Sequence, residues 1–160
     1  MRSNESKPEL RRRLKALRQA VSAEEREAAS GQIARKLCGL VPWSEVHAIH
    51  IYASERDWSE VDTEPIIAGI RATYPQIDIV SPGVSRQEPI PQRRFDLIVV
   101  PVLGFDKENY RLGLGAGFYD RFLATQPQAL KIGLAYRWAL LPEGLPRESH
   151  DIPLDEILTD

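Results

Sequence analysis

The stretch RLGLGAGFYDRFL, residues 111–123, is the most informative part of the sequence. Three of the ten glycines, Gly113, Gly115 and Gly117, alternate directly before a segment with helical spacing. Glycine admits positive φ and lets a ligand approach the backbone closely. A glycine loop that leads into a helix N-terminus predicts an anion site, with phosphate as the expected anion. An ordinary strand-to-helix turn is the alternative, because the stretch matches neither the Walker loop nor G-x-G-x-x-G.

The length and composition are those of a globular domain. With 160 residues, 42% of them hydrophobic and 28% charged, the chain is predicted to form one domain, residues 1–160, without disulfides or metal. Its net charge of −2 carries no overall nucleic-acid signature, and no nucleic-acid partner is expected. No apolar run is long enough for a membrane span and the N-terminus is charged, so we expect a cytoplasmic protein without a membrane partner.

Charge is nevertheless uneven along the chain. Residues 1–18 carry seven basic and two acidic side chains, whereas residues 143–160 carry six acidic and one basic. A basic first helix attracts polyanions, but it is equally consistent with a solvated surface. The single cysteine, Cys38, excludes an internal disulfide, and its place beside Leu37 predicts core packing rather than reactivity.

Local signals predict helices that alternate with strands. Capping boxes at Ser6–Glu9 and Ser22–Glu25 start two helices, and Asp62–Pro65 starts a third that continues to about residue 74. The positions expected to face inward recur at helical spacing: Leu10, Leu14, Leu17, Val21, Ile33, Leu37, Leu40, Ile66, Ile67 and Ile70. Apolar or β-branched runs predict strands at 47–53, 77–80, 96–101, 131–136 and 156–159.

This alternation predicts an α/β fold with a mostly parallel sheet flanked by helices. In such sheets the functional residues usually lie in the loops at the carboxyl ends of the strands. The loop that follows the strand at 96–101 is about 16 residues long and ends in the glycine stretch, which favours a functional loop over a disordered one. Residues 81–94 are polar and rich in proline, and we interpret them as an exposed connection.

The segment Arg111–Asp120 resembles the R-L-G-x-G-x-G-[YF]-Y-D signature of the 5-formyltetrahydrofolate cyclo-ligase (methenyltetrahydrofolate synthetase) family. The resemblance extends over most of the chain. Further family motifs stand in order at Lys7/Arg11, Tyr52, Glu60–Thr63, Pro101/Phe105/Asp106, 132–136, 145–146 and 150–151. The family implies a three-layer α/β sandwich of the ribose-phosphate isomerase/CoA-transferase-like type. It also implies a monomer that closes the ring of a folate substrate with ATP and Mg²⁺ as cofactors.

The resemblance also implies roles for individual residues. The catalytic residues would be Arg111 and Tyr119, although a tyrosine beside Phe118 is equally suited to the core. ATP would be bound by Lys7, Arg11, Arg111, Gly113, Leu114, Gly115, Ala116, Gly117, Phe118 and Tyr119. The folate would be bound by Tyr52, Glu60, Leu114, Gly115 and Phe118, although Tyr52 is equally suited to the core and Glu60 to the start of a helix. The metal ligands would be Asp120 and Asp151, whereas a local ion pair or a turn cap is the plain alternative for each.

Two histidines and the three tryptophans are interpreted as structural residues. We interpret His47 and His50 as strand packing, and no histidine shows metal-ligand spacing. The three tryptophans are expected to be structural, although Trp58 precedes Glu60 and is placed to line a pocket.

The chain departs from the family pattern in three places. The 81–94 segment is shorter than the insertion that usually walls the folate pocket, and only Glu88–Pro89 match its end. Ala139 stands near the place of a frequent glutamine, and Ala116 where Lys or Gly is common. The residues expected to bind phosphate therefore match the family pattern better than the residues expected to bind folate. Two alternatives to the cyclo-ligase are a divergent ATP-using paralogue and a non-catalytic nucleotide, phosphate or RNA binder, although residues 1–20 lack the aromatics that RNA binding favours.

Overall fold

Capping boxes set the starts of the first two helices, as predicted. The structure, a computed structural model, describes residues 4–82 and 89–160. Helix α1 spans Lys7–Gln19 and α2 spans Ala23–Leu40. In each box a serine side chain accepts a hydrogen bond from the backbone N–H three residues on, and the glutamate there accepts one from the serine N–H.

Two shorter helices follow later in the chain. Helix α3 spans Glu64–Thr73, with a proline in its first turn, and buries Ile66, Ile67 and Ile70 as predicted. Helix α4 spans Phe118–Ala124 and begins immediately after Gly117. Within residues 4–82 and 89–160, no helix is both long and apolar enough to cross a membrane.

A parallel sheet of five strands forms the centre of the fold and confirms the predicted fold class. The strands are β1 (Ala48–Ile51), β2 (Asp78–Val80), β3 (Leu97–Pro101), β6 (Leu130–Leu134) and β7 (Glu156–Leu158). Their spatial order is β2-β1-β3-β6-β7, and every neighbouring pair is parallel. The crossovers through α3 and α4 run in opposite directions from the centre. Because such crossovers are right-handed, the two helices cover opposite faces of the sheet.

The long segment after β3 contains a small hairpin that the sequence did not predict. Strand β4 (Gly104–Phe105) pairs antiparallel with β5 (Arg111–Leu112). Asp106, which is 2% exposed, organises the turn between them by accepting hydrogen bonds from the backbone N–H groups of Glu108 and Tyr110. Its other oxygen accepts from Arg147 and from the Leu145 N–H. A buried carboxylate with four donors is a structural support, and here it holds the base of the glycine loop.

Most of the residues predicted to face inward are buried, but four of them are exposed. Leu17 and Leu40 are 47% and 46% exposed, because each lies at the edge of its helix stripe. Cys38 is exposed rather than packed in the core, since it lies outside the stripe of α2 that buries Ile33 and Leu37. The side chain of His47 is 83% exposed, and only His50 packs within the sheet.

Candidate functional site

A cavity of about 440 Å³ lies where the strand order reverses between β1 and β3. In open parallel sheets this switch point is the usual place for a ligand. Pro101, the last residue of β3, and Glu60, in the segment after β1, both line the cavity. It is also lined by every residue predicted for ATP, metal or substrate except Tyr52: Lys7, Arg11, Glu60, Arg111, Gly113, Leu114, Gly115, Ala116, Gly117, Phe118, Tyr119, Asp120 and Asp151.

The glycine loop has a backbone conformation that requires glycine at two positions. Gly115 has φ of +110° and Gly117, which caps α4, has φ of +71°. A Cβ on Gly115 would lie 3.3 Å from Cζ of Arg11. Arg11 Nε in turn donates to the carbonyl of Gly113 at 2.9 Å. The first helix therefore holds one side of the loop, and bulk at Gly115 would disturb that contact.

Arg111 crosses the base of the loop. Its Nε donates to the carbonyl of Pro101 at 3.3 Å, and its guanidinium lies 5.3 Å from the ring centroid of Tyr119. Tyr119 and Phe118 are 5% and 7% exposed and pack edge to face. Both rings belong to the core, and both residues also line the cavity. The guanidinium is thus held between a strand end and an aromatic face.

Asp120, His150 and Asp151 form a cluster on one wall. Each offers a ligand atom within 4.8 Å of the other two. His150 has no predicted role, because its spacing matches no metal motif; α4 and the C-terminal segment bring it to Asp120 only in the folded chain. A set of two carboxylates and an imidazole can hold a divalent cation.

Lys7 reaches into this cluster from α1. Its Nζ donates to Asp151 at 2.9 Å and to Glu148 at 3.2 Å. Burial lowers the pKa of Lys7, but the hydrogen bonds to Asp151 and Glu148 and the attraction of their charges together raise it above its ordinary value. Burial likewise raises the pKa of the Asp151 carboxyl, but the bonds from Lys7 and from the Glu148 N–H lower it overall. Both groups are therefore charged at neutral pH.

Arg18, Trp58 and Glu60 also line the cavity, and Arg18 lies eleven residues along α1 from Lys7. Glu60 is 2% exposed, and its carboxylate accepts a hydrogen bond from the Glu55 N–H at 2.9 Å. Arg18 is 5% exposed and received no role from the sequence, where it is one of several basic residues in the first helix. Its burial distinguishes Arg18 from the exposed basic residues of α1, and helical spacing alone does not predict that burial.

Tyr52 corrects the expectation of a direct substrate contact. Its side chain is 1% exposed, it is not among the cavity-lining residues, and its hydroxyl donates to the Val61 carbonyl at 2.8 Å. The ring packs in the core because the strand it follows is buried on both faces. Tyr52 therefore supports the segment that carries Glu60 rather than the ligand itself.

The fold and cavity define an α/β enzyme with a glycine loop and clustered carboxylates at the switch point of a parallel sheet. The sequence model of the 5-formyltetrahydrofolate cyclo-ligase family matches residues 3–77 and 57–160. The chain belongs to this family. It is similar to 5-formyltetrahydrofolate cyclo-ligases from Mus musculus, 31% identical over 97% of this chain and 94% of that protein, and from Escherichia coli K12, 29% identical over 89% and 93%.

A solved structure shows the same fold at nearly the same length. The 5,10-methenyltetrahydrofolate synthetase from Mycoplasma pneumoniae superposes with a TM-score of 0.83, at 30% identity, over 98% of this chain and 99% of that one. The alignment to the mouse protein instead spans 193 positions against the 160 residues of this chain. Parts of the mouse protein therefore have no counterpart here, whereas the compact form is shared with the Mycoplasma protein. Of the 81–94 segment, residues 83–88, including Glu88, lie outside the described residues.

Proposed function

We propose that this chain converts 5-formyltetrahydrofolate to 5,10-methenyltetrahydrofolate, with ATP consumed and ADP and phosphate released. The observation that carries the proposal is that one cavity joins the glycine loop, the Asp120–Asp151 cluster and the buried carboxylate of Glu60. Family membership and the similar length of the Mycoplasma synthetase support it. The shortened 81–94 segment is therefore no argument against a folate substrate.

The reaction needs activation of a poor electrophile. The formyl oxygen attacks the γ-phosphorus of ATP, a P–O bond forms, and the bond to the β-phosphate oxygen breaks to release ADP. N10 of the folate then attacks the formyl carbon and loses its proton, and the C–O bond breaks with phosphate as the leaving group. The protein has mainly to position the groups and to offset charge.

The glycine loop and the basic residues around it are suited to the triphosphate. The N–H groups of residues 113–117 provide donors, and Arg111 provides a guanidinium that its contacts with Pro101 and Tyr119 hold in place. Arg11 and Lys7 add positive charge from α1. We assign Arg111 and Tyr119 to the triphosphate-binding part of the cavity, where they position the phosphate that is transferred.

The two carboxylates of the cluster fit Mg²⁺. Asp120 and Asp151 supply carboxylate oxygens close enough to share one ion, and phosphate oxygens and water would complete its shell. A bound Mg²⁺ offsets charge on the phosphate oxygens. Lys7, which pairs with Asp151, would add positive charge beside the phosphates.

Glu60 is suited to the pterin. It lines the cavity but is not part of the metal cluster, and its buried carboxylate can accept hydrogen bonds from the N3–H and the 2-amino group. Trp58 also lines the cavity and offers an apolar surface. Leu114 and Phe118 add apolar contacts nearer the loop.

The direct test is the absorbance band of the methenyl product. Purified protein is mixed with 5-formyltetrahydrofolate and Mg²⁺, with ATP or with no nucleotide. ATP-dependent growth of the band is the expected result. Calorimetric ATP binding without product formation would overturn the folate assignment and favour an ATP-using paralogue with a different small substrate. We also propose that the protein is a monomer and that it acts in the cytoplasm. Light scattering on the protein as it elutes from a size-exclusion column measures its mass and tests whether it is a monomer.

A further inference from the structure

One tight turn places His150 and Asp151 side by side at the proposed cation site. The Asp151 N–H donates to the Glu148 carbonyl at 3.1 Å, and the Glu148 N–H donates to Oδ2 of Asp151 at 2.8 Å. These bonds fix the Asp151 carboxylate, and the same turn carries His150. Asp120 comes from the first turn of α4. The imidazole is the member of this cluster that the proposed Mg²⁺ site does not use.

The two carboxylate oxygens of Asp151 have different surroundings. Oδ2 accepts hydrogen bonds from Lys7 and from the Glu148 N–H. Oδ1 lies 3.8 Å from Nε2 of His150, which in turn lies 3.2 Å from Oε2 of Glu148. A carboxylate beside a metal-binding imidazole orients the ring. The imidazole therefore lies beside the Asp151 oxygen that accepts neither of these hydrogen bonds.

The spacing of the three side chains is close to that of a metal site. Their ligand atoms lie within 4.8 Å of one another, whereas atoms about 2.1 Å from a shared ion lie at most about 4.2 Å apart. The side chain of His150 is 64% exposed, so packing does not oppose the small rotation that closes this difference. The imidazole can thus reach an ion held by Asp120 and Asp151.

The charges around the imidazole favour a divalent ion. Asp120, Glu148 and Asp151 supply three carboxylates to this wall of the cavity, and the ammonium of Lys7 contacts two of them. One ammonium does not balance three carboxylates. A dication bound to Asp120 and Asp151 would offset the remaining negative charge.

The nitrogen ligand bears on which divalent ion the site prefers. Mg²⁺ takes oxygen ligands and keeps several waters, so it gains little from an imidazole. Imidazole suits transition ions such as Co²⁺, Ni²⁺ and Zn²⁺. Two carboxylates and one imidazole also leave coordination positions open, and phosphate oxygens of a nucleotide can fill them.

We propose that His150 is a third protein ligand of the bound cation and that it makes the site prefer a divalent transition ion to Mg²⁺. This inference rests on the proposed ATP-dependent function. It does not depend on which small molecule receives the phosphate. It assigns ion preference to the turn at Glu148–Asp151 rather than to α4.

The test compares two ions on the same protein. The Co²⁺ and Mg²⁺ complexes of a non-hydrolysable ATP analogue are titrated by calorimetry into wild type and His150→Gln, at about pH 8, where histidine is ordinarily neutral. We expect the affinity for the Co²⁺ complex to fall at least about tenfold in the variant, the lower end of what lost support costs at a metal site. The affinity for the Mg²⁺ complex should fall much less, and the imidazole signal in cobalt X-ray absorption should diminish.

Two further variants separate ligation from a general charge effect. His47→Gln changes an exposed histidine outside the cluster and should leave both affinities and the imidazole signal unchanged. His150→Asp replaces the nitrogen ligand by oxygen, and should retain Mg²⁺ binding while the ratio of Co²⁺ to Mg²⁺ affinity falls.

The outcomes also distinguish this proposal from the proposed function. Equal losses for the two complexes in His150→Gln, no loss for either, or an undiminished imidazole signal would overturn the role of His150. Failure of wild type to bind either complex would instead overturn the proposed ATP-dependent function.

Discussion

The ammonium nitrogen of Lys7 lies 2.9 Å from a carboxylate oxygen of Asp151, although the two residues are 144 positions apart. The contact joins the first turn of α1 to the C-terminal segment and closes one end of the cavity between them. Both side chains are mostly shielded, with 17% and 12% of their surface exposed. A cation and a candidate metal ligand thus share one hydrogen bond at the place where a nucleotide phosphate is expected.

Replacement of Lys7 by methionine should weaken ATP binding. A hydrogen bond to a charged group contributes about 1.5–3 kcal/mol, so we expect the KM for ATP to rise roughly 10- to 100-fold. The KM for folate should change little, because Lys7 lies eleven residues, or about 16 Å, along α1 from Arg18, which lines the cavity with Glu60. Steady-state kinetics measure both constants. Lys15→Met, an exposed lysine on the same helix, is the matched control, and an ATP constant equal to that of wild type would contradict the assignment.

Asp120→Ala should abolish ATP-dependent turnover while the fold is retained. Asp120 is only partly buried, so its removal creates no core cavity, but the cluster with Asp151 loses a carboxylate that the cation needs. Product absorbance measures turnover, circular dichroism measures folding, and Mn²⁺ paramagnetic resonance measures metal binding. The exposed Glu143→Ala serves as a carboxylate control. Near-wild-type turnover by the Asp120 variant would remove this residue from the metal role.

Gly115→Val should block the nucleotide. The position has φ of +110°, which L residues rarely adopt, and a Cβ there would approach Arg11 within 3.3 Å. We expect calorimetry to show ATP affinity reduced by at least about tenfold, the scale of one lost bond to a charged group. In Gly39→Ala a Cβ in helix α2 meets nothing within 4 Å, and this variant should bind ATP as wild type does. If the two variants bind ATP equally, the loop is an ordinary turn.

His50 should make the protein less stable in mild acid. Burial between Phe95 and Phe122 lowers the pKa of His50 from 6.5 to about 4. The unfolded chain therefore binds a proton near pH 6.5, whereas the folded chain does so only near pH 4. The free energy of unfolding accordingly falls between these values, by about 3 kcal/mol at most, and changes no further below pH 4 through this group.

His50→Leu should remove this part of the pH dependence. Urea unfolding at pH 7, 6 and 5 should show the variant gaining stability relative to wild type as the pH falls. His47→Gln, which alters an exposed histidine, should follow wild type throughout. Parallel pH profiles for His50→Leu and wild type would show that burial does not lower the pKa of His50 in the folded protein.

The alternation of helices and strands could be predicted because its signals are local. Capping boxes, apolar runs and helical spacing act within a few residues, and they predict all five sheet strands and the four α-helices of the described residues. The hairpin inside residues 102–117 escaped prediction, because Asp106 stabilises it partly through Arg147, a residue far along the chain. The exposure of Cys38 was not predicted for a similar reason. Periodicity predicts which face of α2 is buried, but packing against the rest of the chain determines how wide that buried face is.

By itself the sequence determined the glycine loop, the family motifs and the fold class, since each depends on residue type and short-range order. Only the tertiary structure decided which distant side chains meet. It brought His150 to Asp120, paired Lys7 with Asp151, withdrew Tyr52 into the core and buried Arg18, which lines the cavity with Trp58 and Glu60. The physical reason is that the charge and burial of a side chain depend on the packing of α1 against the loops at the strand ends, and no local pattern records that packing.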